Sequence, residues 1–289
     1  MSASGQWSVR PPVIAGSWYP GTERSLARTV DEYLEAVEQC PVPGTLLGLI
    51  APHAGYAYSG QTAAHAYRQL AGRQVETVVL LGPSHRTWVG DYATSAEGAY
   101  ATPLGKVPLY EDFIAALAEH ILLNRILGDA EHSLEIQLPF LQRELGSFRL
   151  VPILMSADEP EAARELAGRL AEVTMAGGAG GVGRVLFVAS SDMHHIDDQE
   201  QVVLRDAAVR EALAALDVEA LTERLMARDS TVCGRMPILT VVHAARALGA
   251  DAVRILHHTN SSEVSGERRR GQYTVGYMAA AIYQAARDT

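Results

Sequence analysis

Two apolar runs, each followed by a short polar loop with a histidine, constrain the fold more than any other feature. The first run, TLLGLIAP, spans residues 45–52 and leads into His53, and the second, ETVVLLGP, spans residues 76–83 and leads into Ser84 and His85. Apolar runs of this length, bounded by Gly and Pro, are typical of strands buried on both faces. The carboxyl ends of parallel strands meet at one edge of a sheet, where α/β proteins bind ligands. Two imidazoles at that edge favour a metal site.

A third loop of the same kind follows the apolar run RVLFVAS at residues 184–190, and it contains Asp192, His194 and His195. Cys233 adds a thiol, which becomes a soft metal ligand once it is deprotonated. A single loop histidine is more often an ordinary hydrogen-bonded residue than a ligand. Three such loops keep both interpretations open, because only folding can bring together residues so far apart in sequence.

The alternation of apolar runs with helical patterns predicts an α/β fold. We expect a single domain over residues 1–289, with a central, mostly parallel or mixed sheet flanked by helices. Residues 1–22 are expected to form an ordered N-terminal arm, because their Pro- and Gly-rich part cannot be a long helix. Residues 90–106 are predicted to be irregular. Cys40 is predicted to close a helix as an inert small hydrophobe, just before Pro41.

Composition excludes several classes of protein. The formal net charge of −10 argues against a nucleic-acid-binding protein, which would show a basic face, and against adhesion to an anionic membrane surface. The first residues lack the apolar core of a signal peptide, and no stretch is as long and apolar as a membrane-spanning helix. Only two cysteines are present, so a disulfide framework is not expected. These features predict a cytoplasmic protein.

Other motifs have simpler interpretations. The glycine-rich segment GGAGGVG at residues 177–183 is interpreted as a flexible connector, because it precedes a strand and lacks the Lys-Ser/Thr of a phosphate-binding loop. A serine-hydrolase triad of Ser191, Asp192 and His195 is disfavoured, since the sequence has no Gly-x-Ser-x-Gly elbow and the residues are too close together. The remaining histidines are assigned ordinary roles within helices or strands: His65, His120, His243, His257 and His258.

Seven stretches resemble the Memo family, grouped in many microbes as AmmeMemoRadiSam system protein B. They span nearly the whole chain in the expected order: AGSWYP (15–20), APHAGYAYSG (51–60), LGPSH (81–85), EHSLEIQLPFLQ (131–142), SSDMHH (190–195), TVCGRMPI (231–238) and TNSSEVSG (259–266). The resemblance implies a fold similar to class III extradiol dioxygenases, with a metal pocket at one sheet edge. It also implies a radical-SAM protein and an AMMECR-like protein as candidate partners.

The resemblance assigns roles to particular residues. His53, His85 and Cys233 match the family's metal ligands. His195 matches an additional pocket histidine that corresponds to the acid/base histidine of the dioxygenases, and Asp192 matches a pocket aspartate. Further candidates close to the metal or the substrate are His132, His194, Tyr56 and Ser84.

Two functions follow from these assignments. The first is a metal-binding, non-haem iron-dependent oxidoreductase of dioxygenase type that acts on a small chelating or aromatic molecule, with Fe(II) expected and Cu or Zn as alternatives. Extradiol chemistry uses two histidines and a carboxylate, whereas the third ligand here would be the Cys233 thiolate, so fold similarity alone does not imply dioxygenase activity. The second is a non-catalytic protein that handles copper or iron or binds a peptide.

Overall fold

The computed structural model describes residues 8–177, 181–267 and 271–286. Its helices are α1 (Glu23–Glu35), α2 (Tyr56–Tyr67), α3 (Glu111–Ala118), α4 (Leu138–Leu145), α5 (Pro160–Met175), α6 (Gln199–Ala214), α7 (Val218–Leu225), α8 (Arg235–Ala247) and α9 (Ser261–Ser265), with 3₁₀ turns at Arg68–Leu70 and Glu135–Gln137. Its strands are β1 (Val9–Arg10), β2 (Thr45–Ala51), β3 (Thr77–Pro83), β4 (Tyr92–Ser95), β5 (Ala99–Thr102), β6 (Gly105–Pro108), β7 (Leu123–Ile126), β8 (Arg149–Met155), β9 (Val185–Ser190), β10 (His195–Ile196), β11 (Ala252–Asn260) and β12 (Thr274–Gln284). Residues 1–7 of the predicted arm and residues 178–180 of the glycine-rich segment lie outside the described residues.

A nine-stranded mixed sheet forms the centre of the fold, with the order β10-β12-β2-β9-β3-β8-β4-β7 and with β11 paired to β12. The four central strands β2, β9, β3 and β8 run parallel. β12 pairs antiparallel with β2, and β4 pairs antiparallel with β8. A separate three-stranded sheet has the order β1-β5-β6. The predicted class, an α/β fold with a mixed sheet flanked by helices, is confirmed.

The central strands are buried on both faces, which explains why their sequences are continuous apolar runs. α8 packs against β2, β3 and β9, and α5 packs against α8, while α2 packs against β2, β11 and β12 and contacts α1. Leu49, Leu80 and Val188 are 0% exposed, and full burial of such a side chain contributes roughly 1.5–3 kcal/mol. None of the described helices is both long and apolar enough to cross a lipid bilayer.

The carboxyl edge of the parallel strands gathers the three histidine loops. β9 lies between β2 and β3, and Ala51 is in register with Ser190 while Leu81 is in register with Ala189. The strands therefore end almost level, and the Ser191 amide beyond β9 still donates to the Ala51 carbonyl at 2.9 Å. The loops that follow β2, β3 and β9 consequently leave the sheet side by side.

The prediction that residues 90–106 are irregular is wrong. This segment contains β4, β5 and the start of β6. β4 pairs with β7 and β8, and β5 pairs with β1 and β6. Each of the three strands is four residues long, so its sequence shows little periodicity, and distant pairing partners decide its conformation.

The predicted position of Cys40 at the end of a helix is also wrong. α1 ends at Glu35, and Cys40 is exposed in the loop that follows. Pro41 comes directly after Cys40, and the residue before a proline is biased away from helical backbone angles. The prediction that His120 lies within a helix or a strand is wrong as well, because α3 ends at Ala118 and His120 lies in the turn that follows.

Arg10 fixes the N-terminal arm to the body of the protein. β1 pairs with β5, and the Arg10 side chain is fully buried. Its guanidinium forms ion pairs with Asp129 and Glu135, each at 2.7 Å. Glu135 also accepts a hydrogen bond from the Tyr19 hydroxyl at 2.7 Å. A buried charge must be paired to be tolerated, so the arm and residues 129–135 hold each other in place.

Replacing Gly234 by alanine is expected to destabilise the fold next to Cys233. A Cβ at this position would lie 2.4 Å from the Ser191 Cβ and 2.6 Å from the Ser190 carbonyl oxygen. Because a backbone atom cannot move aside cheaply, we expect Gly234→Ala to lower the free energy of unfolding by about 1–3 kcal/mol. Urea denaturation measures the change. Gly168→Ala is the control, since a Cβ there meets nothing within 4 Å, and equal stability of the two variants would contradict the prediction.

A stacked pair of histidines away from the sheet edge makes stability depend on pH. The His65 ring stacks on the His257 ring at 4.3 Å and 8°. Burial, and then the charge of His257, lower the pKa of His65 to about 4 from its ordinary 6.5. Because protonation then favours the unfolded chain, the stabilising contribution is complete above pH 6.5 and is lost as the pH falls towards 4.

We therefore expect the free energy of unfolding to depend less on pH between pH 4 and pH 6.5 in the His65→Gln variant. The side chain is only half buried, so solvent screening limits the change to roughly 1 kcal/mol. Urea titrations at pH 5 and pH 7.5 measure it, with His120→Gln as an exposed control. If the difference in the free energy of unfolding between pH 5 and pH 7.5 is the same in His65→Gln as in the parent protein, the prediction is wrong.

Candidate metal centre

Three candidate metal ligands from distant parts of the chain meet at the carboxyl edge of the sheet. His53 follows β2, His85 follows β3, and Cys233 directly precedes Gly234, the N-cap of α8. One ligand atom from each side chain lies within 4.8 Å of the other two. Cys233 Sγ is 3.1 Å from His53 Nε2, and the two imidazole rings are 5.1 Å apart and nearly perpendicular.

Hydrogen bonds determine which nitrogen of His53 is free. Ser190 Oγ donates to the Ser133 carbonyl at 2.5 Å, so it accepts from His53 Nδ1, which is 3.1 Å away. Nδ1 therefore carries the proton, and Nε2 presents its lone pair towards the other ligands. Burial, together with the two neighbouring histidine rings, holds the pKa of His53 well below its ordinary value. The ring stays neutral, as a metal ligand must be.

Glu131 orients His85. Its Oε1 lies 3.0 Å from His85 Nδ1 and accepts from the amides of His132 and Ser133 at 2.8 and 3.0 Å. Its Oε2 accepts from the His85 amide at 2.7 Å. Because the carboxylate accepts the Nδ1 proton, Nε2 is left free for a metal. Burial raises the pKa of Glu131, but the contacts with His132 and His85 outweigh burial and hold that pKa below its ordinary value.

Asp192 packs beneath Cys233 and the loop that holds His53. Asp192 Oδ1 accepts from the amides of His53 and Ala54 at 2.7 and 3.2 Å, and Cys233 Sγ lies 3.6 Å from the Asp192 carbonyl. Burial, and then the charge of Asp192, raise the pKa of the Cys233 thiol. Burial also raises the pKa of Asp192, against the opposing effect of His195. A metal ion bound to Cys233 would instead lower the pKa of its thiol, because metal coordination deprotonates a thiol.

His195 lies beside the three candidate ligands and has one ring nitrogen free. Its Nδ1 lies 3.0 Å from the Thr231 carbonyl, which can only accept, so Nδ1 carries the proton and Nε2 is free. The ring centroid is 6.3 Å from that of Tyr273. Ser191 Oγ donates to the Asp192 carbonyl at 2.7 Å rather than to His195. The disfavoured serine-hydrolase arrangement is therefore not formed.

His132 forms a wall beside His85. The His85 and His132 rings stack at 4.8 Å and 17°, and the His132 ring centroid also lies 4.3 Å from that of Trp18 at an angle of 48°. His132 Nδ1 lies 3.0 Å from Glu131 Oε1 but is not aligned for a hydrogen bond, and no described residue bonds it. This places His132 where it can contact a molecule beside the metal ligands.

The candidate ligands face an open cavity of about 770 Å³. Besides the histidines, Asp192 and Cys233, its lining includes Trp18, Tyr58 and Tyr273. This volume and the mixture of aromatic and polar side chains suit a small organic molecule.

Three candidates from the sequence do not line this cavity. The Tyr56 hydroxyl donates to the Ile136 carbonyl in the protein interior, and Ser84 Oγ donates to a carbonyl of its own loop. His194 Nδ1 lies 2.7 Å from Asp206 Oδ1. The His194 side chain is thus buried against Asp206, whereas His195, the first residue of β10, lines the cavity. The five histidines to which the sequence assigns ordinary roles also lie outside the cavity lining: His65, His120, His243, His257 and His258.

Sequence reasoning missed Glu131 and the aromatic lining. Glu131 directly precedes His132 in one of the quoted motifs, which was the available signal. A carboxylate in a polar loop is too common to single out, and its contact with His85 joins residues 46 positions apart. Trp18 and Tyr58 lie within two of the quoted motifs, AGSWYP and APHAGYAYSG, which were the available signal, whereas Tyr273 lies in none. Only the fold brings the three side chains to one cavity.

The arrangement fits a metal ion. His53 and His85 each have Nδ1 occupied by an oxygen acceptor and Nε2 free, the state in which imidazole binds metals. With the thiolate of Cys233, the donor set of two nitrogens and one sulfur suits Fe, Cu or Zn. The cavity leaves space for a further ligand.

Comparison with known protein families identifies the family of this chain. A model of the Memo-like protein family matches residues 10–281. The chain belongs to this family, whose fold is dioxygenase-like.

Its relatives are proteins described as members of the MEMO1 family. One from Methanopyrus kandleri is 35% identical over 283 residues, which cover 93% of this chain and 97% of the relative. One from Methanosarcina barkeri is 34% identical over 276 residues, covering 95% and 100%. One from Methanocaldococcus jannaschii is 32% identical over 298 residues, covering 95% and 99%.

Replacing Glu131 by glutamine is expected to weaken metal binding. The amide group would turn one acceptor into a donor, so His85 would lose its fixed orientation. We expect the affinity for Zn²⁺ to fall about 10- to 100-fold, the usual effect of removing such a partner. Competition with a chromophoric chelator measures it. Glu144→Gln, which removes a carboxylate 7% exposed and paired with Arg68, is the control, and equal affinities would contradict the prediction.

Proposed function

We propose that this protein holds a non-haem Fe(II) ion at His53, His85 and Cys233 and oxidises a small chelating or aromatic molecule. The observation that carries the proposal is that the three ligand atoms lie within 4.8 Å of one another beside an open cavity. When bound, iron supplies the redox chemistry and open positions for a chelating substrate and dioxygen. The residues around it supply ligands, orientation and proton transfer.

The two histidine ligands are already oriented, with Nδ1 held by an oxygen acceptor and Nε2 directed towards the proposed metal position. Ser190 and Glu131 already hold the Nδ1 protons of His53 and His85. Cys233 must lose its proton, so metal affinity is expected to rise with pH.

His195 is the residue proposed to move protons. Its free Nε2 would take a proton from a substrate hydroxyl and return it later, while Thr231 keeps Nδ1–H and the ring orientation fixed. Histidine suits this role because imidazole exchanges protons near neutral pH. Asp192 would hold the His53 loop in place through its two amide contacts.

A second proposal is that the protein handles copper or iron without turnover. The feature that favours it is Cys233, since a thiolate is soft and raises the affinity for Cu(I). In that case the cavity would hold the metal or a peptide without turnover.

The cellular setting is also a proposal. We propose that the protein acts in the cytoplasm with a radical-SAM protein and an AMMECR-like protein. Family membership supports this. Co-purification of tagged protein from its native host tests it, and recovery of neither partner would count against it.

Anaerobic reconstitution with Fe(II) tests the first proposal. We expect about one iron per chain and oxygen uptake that depends on a compound from a panel of catechols. His53→Ala and Cys233→Ser should lose iron, whereas Cys40→Ser, at the other and exposed cysteine, should not. Iron bound at one per chain with no oxygen uptake, together with very tight Cu(I) binding, would instead favour metal handling.

His195→Asn separates proton transfer from metal binding. The asparagine amide can still donate to the Thr231 carbonyl, but it offers no basic nitrogen to the cavity. We expect oxygen uptake to fall roughly 10²- to 10⁴-fold with iron content unchanged. Uptake at the level of the parent protein would remove His195 from the mechanism.

A further inference from the structure

Arg10, a buried side chain of the N-terminal arm, contacts the segment that holds Glu131. The Arg10 side chain is fully buried, and all three nitrogens of its guanidinium donate hydrogen bonds. Nε and Nη2 donate to Asp129 at 2.7 and 3.0 Å, and Nη1 donates to Glu135 at 2.7 Å. The plane also lies over the Tyr100 ring, with Cζ 4.7 Å from its centroid.

A further hydrogen bond connects the Arg10 guanidinium to the backbone of Glu131, the residue that orients His85. Arg10 Nη2 donates to the backbone carbonyl of Glu131 at 2.6 Å. Asp129 Oδ1, which Arg10 holds, accepts from the Glu131 amide at 3.0 Å. The backbone of Glu131 is therefore fixed on both sides, and its side chain then fixes His85.

We propose that Arg10 is a positioning residue for the metal centre, which acts through Glu131 to aim His85 Nε2 at the position of the metal. The proposal rests on the proposed metal site but not on any reaction there. A purely structural role would require only that Arg10 neutralise the buried acids, whereas this role requires its hydrogen bond to the Glu131 backbone.

The shape of the guanidinium matters as well as its charge. Arginine offers five donors in a rigid plane, whereas lysine offers a compact ammonium on a flexible chain. Arg10→Lys keeps the positive charge beside Asp129 and Glu135 but cannot reproduce the fork. The variant therefore removes positioning with the least electrostatic change.

A double-mutant cycle with Co(II) as the probe tests the inference. We expect Arg10→Lys to lower Co(II) affinity about 10-fold, within the range for residues that orient a ligand. In a Glu131→Gln background, Arg10→Lys should change the affinity less than 3-fold, because the connection is already broken. Full additivity of the two effects, or no effect of Arg10→Lys, would overturn the proposal.

Arg73→Lys is the matched control. Arg73 also donates through its whole fork, to the carbonyls of Gln69, Gly44 and Val42, but it lies in another part of the fold. Its replacement should cost stability and leave Co(II) affinity within about 2-fold of the parent. If Arg10→Lys does not fold, Asp129→Asn provides a second variant. It removes one of the two carboxylate charges beside Arg10 and the oxygen that accepts from Arg10 Nε and from the Tyr100 hydroxyl, and it should show the same non-additivity with Glu131→Gln.

A measurement on metal-free protein separates this inference from the proposed function. Nitrogen-15 spectra of the imidazoles should show His85 with Nδ1 protonated and Nε2 free in the parent and in Arg73→Lys. In Arg10→Lys the two tautomers should be mixed. An unchanged His85 tautomer in Arg10→Lys would by itself also overturn the positioning role, whereas failure to bind iron or to consume oxygen would affect only the proposed function.

Discussion

The Glu131 carboxylate is the interaction on which the geometry of the centre depends. It accepts from three backbone amides and from His85 Nδ1, so it joins the loop after β3 to the segment before α4. A buried donor left without an acceptor costs about 1–3 kcal/mol. Two of these donors, the amide and Nδ1 of His85, cross between the two segments, so the segments cannot separate without leaving both donors without their acceptor. The His85 ring is therefore aimed before any metal arrives.

The sheet provides the other half of this preorganisation. Parallel strands β2, β9 and β3 end almost level, which brings His53, His85 and His195 to one edge. Cys233 comes from the start of α8, which packs on the same strands. Burial and the charge of Asp192 raise the pKa of the Cys233 thiol. A metal ion that binds the sulfur must therefore displace its proton. Metal binding at Cys233 is therefore expected to release a proton and to strengthen as the pH rises.

Much of the fold could be predicted from the sequence, because long buried strands carry a strong signal. The runs before His53 and His85 are uniformly apolar, and they form β2 and β3 as expected. The short strands β4, β5 and β6 could not be predicted, since pairing with distant strands decides their conformation. The same limit applies to Glu131, whose role appears only when His85 lies 3.0 Å away. Motif resemblance named the residues that meet at the cavity, but it also named Tyr56, Ser84 and His194, which face elsewhere.

The most direct test of the central claim, that two imidazoles and one thiolate hold a metal at this edge, is X-ray absorption spectroscopy at the zinc edge. Protein loaded with one Zn²⁺ per chain should show one sulfur neighbour at about 2.3 Å and nitrogen neighbours at about 2.0–2.1 Å. The sulfur signal should vanish in Cys233→Ser and persist in Cys40→Ser. A coordination shell of nitrogen and oxygen alone in the parent protein would contradict the account.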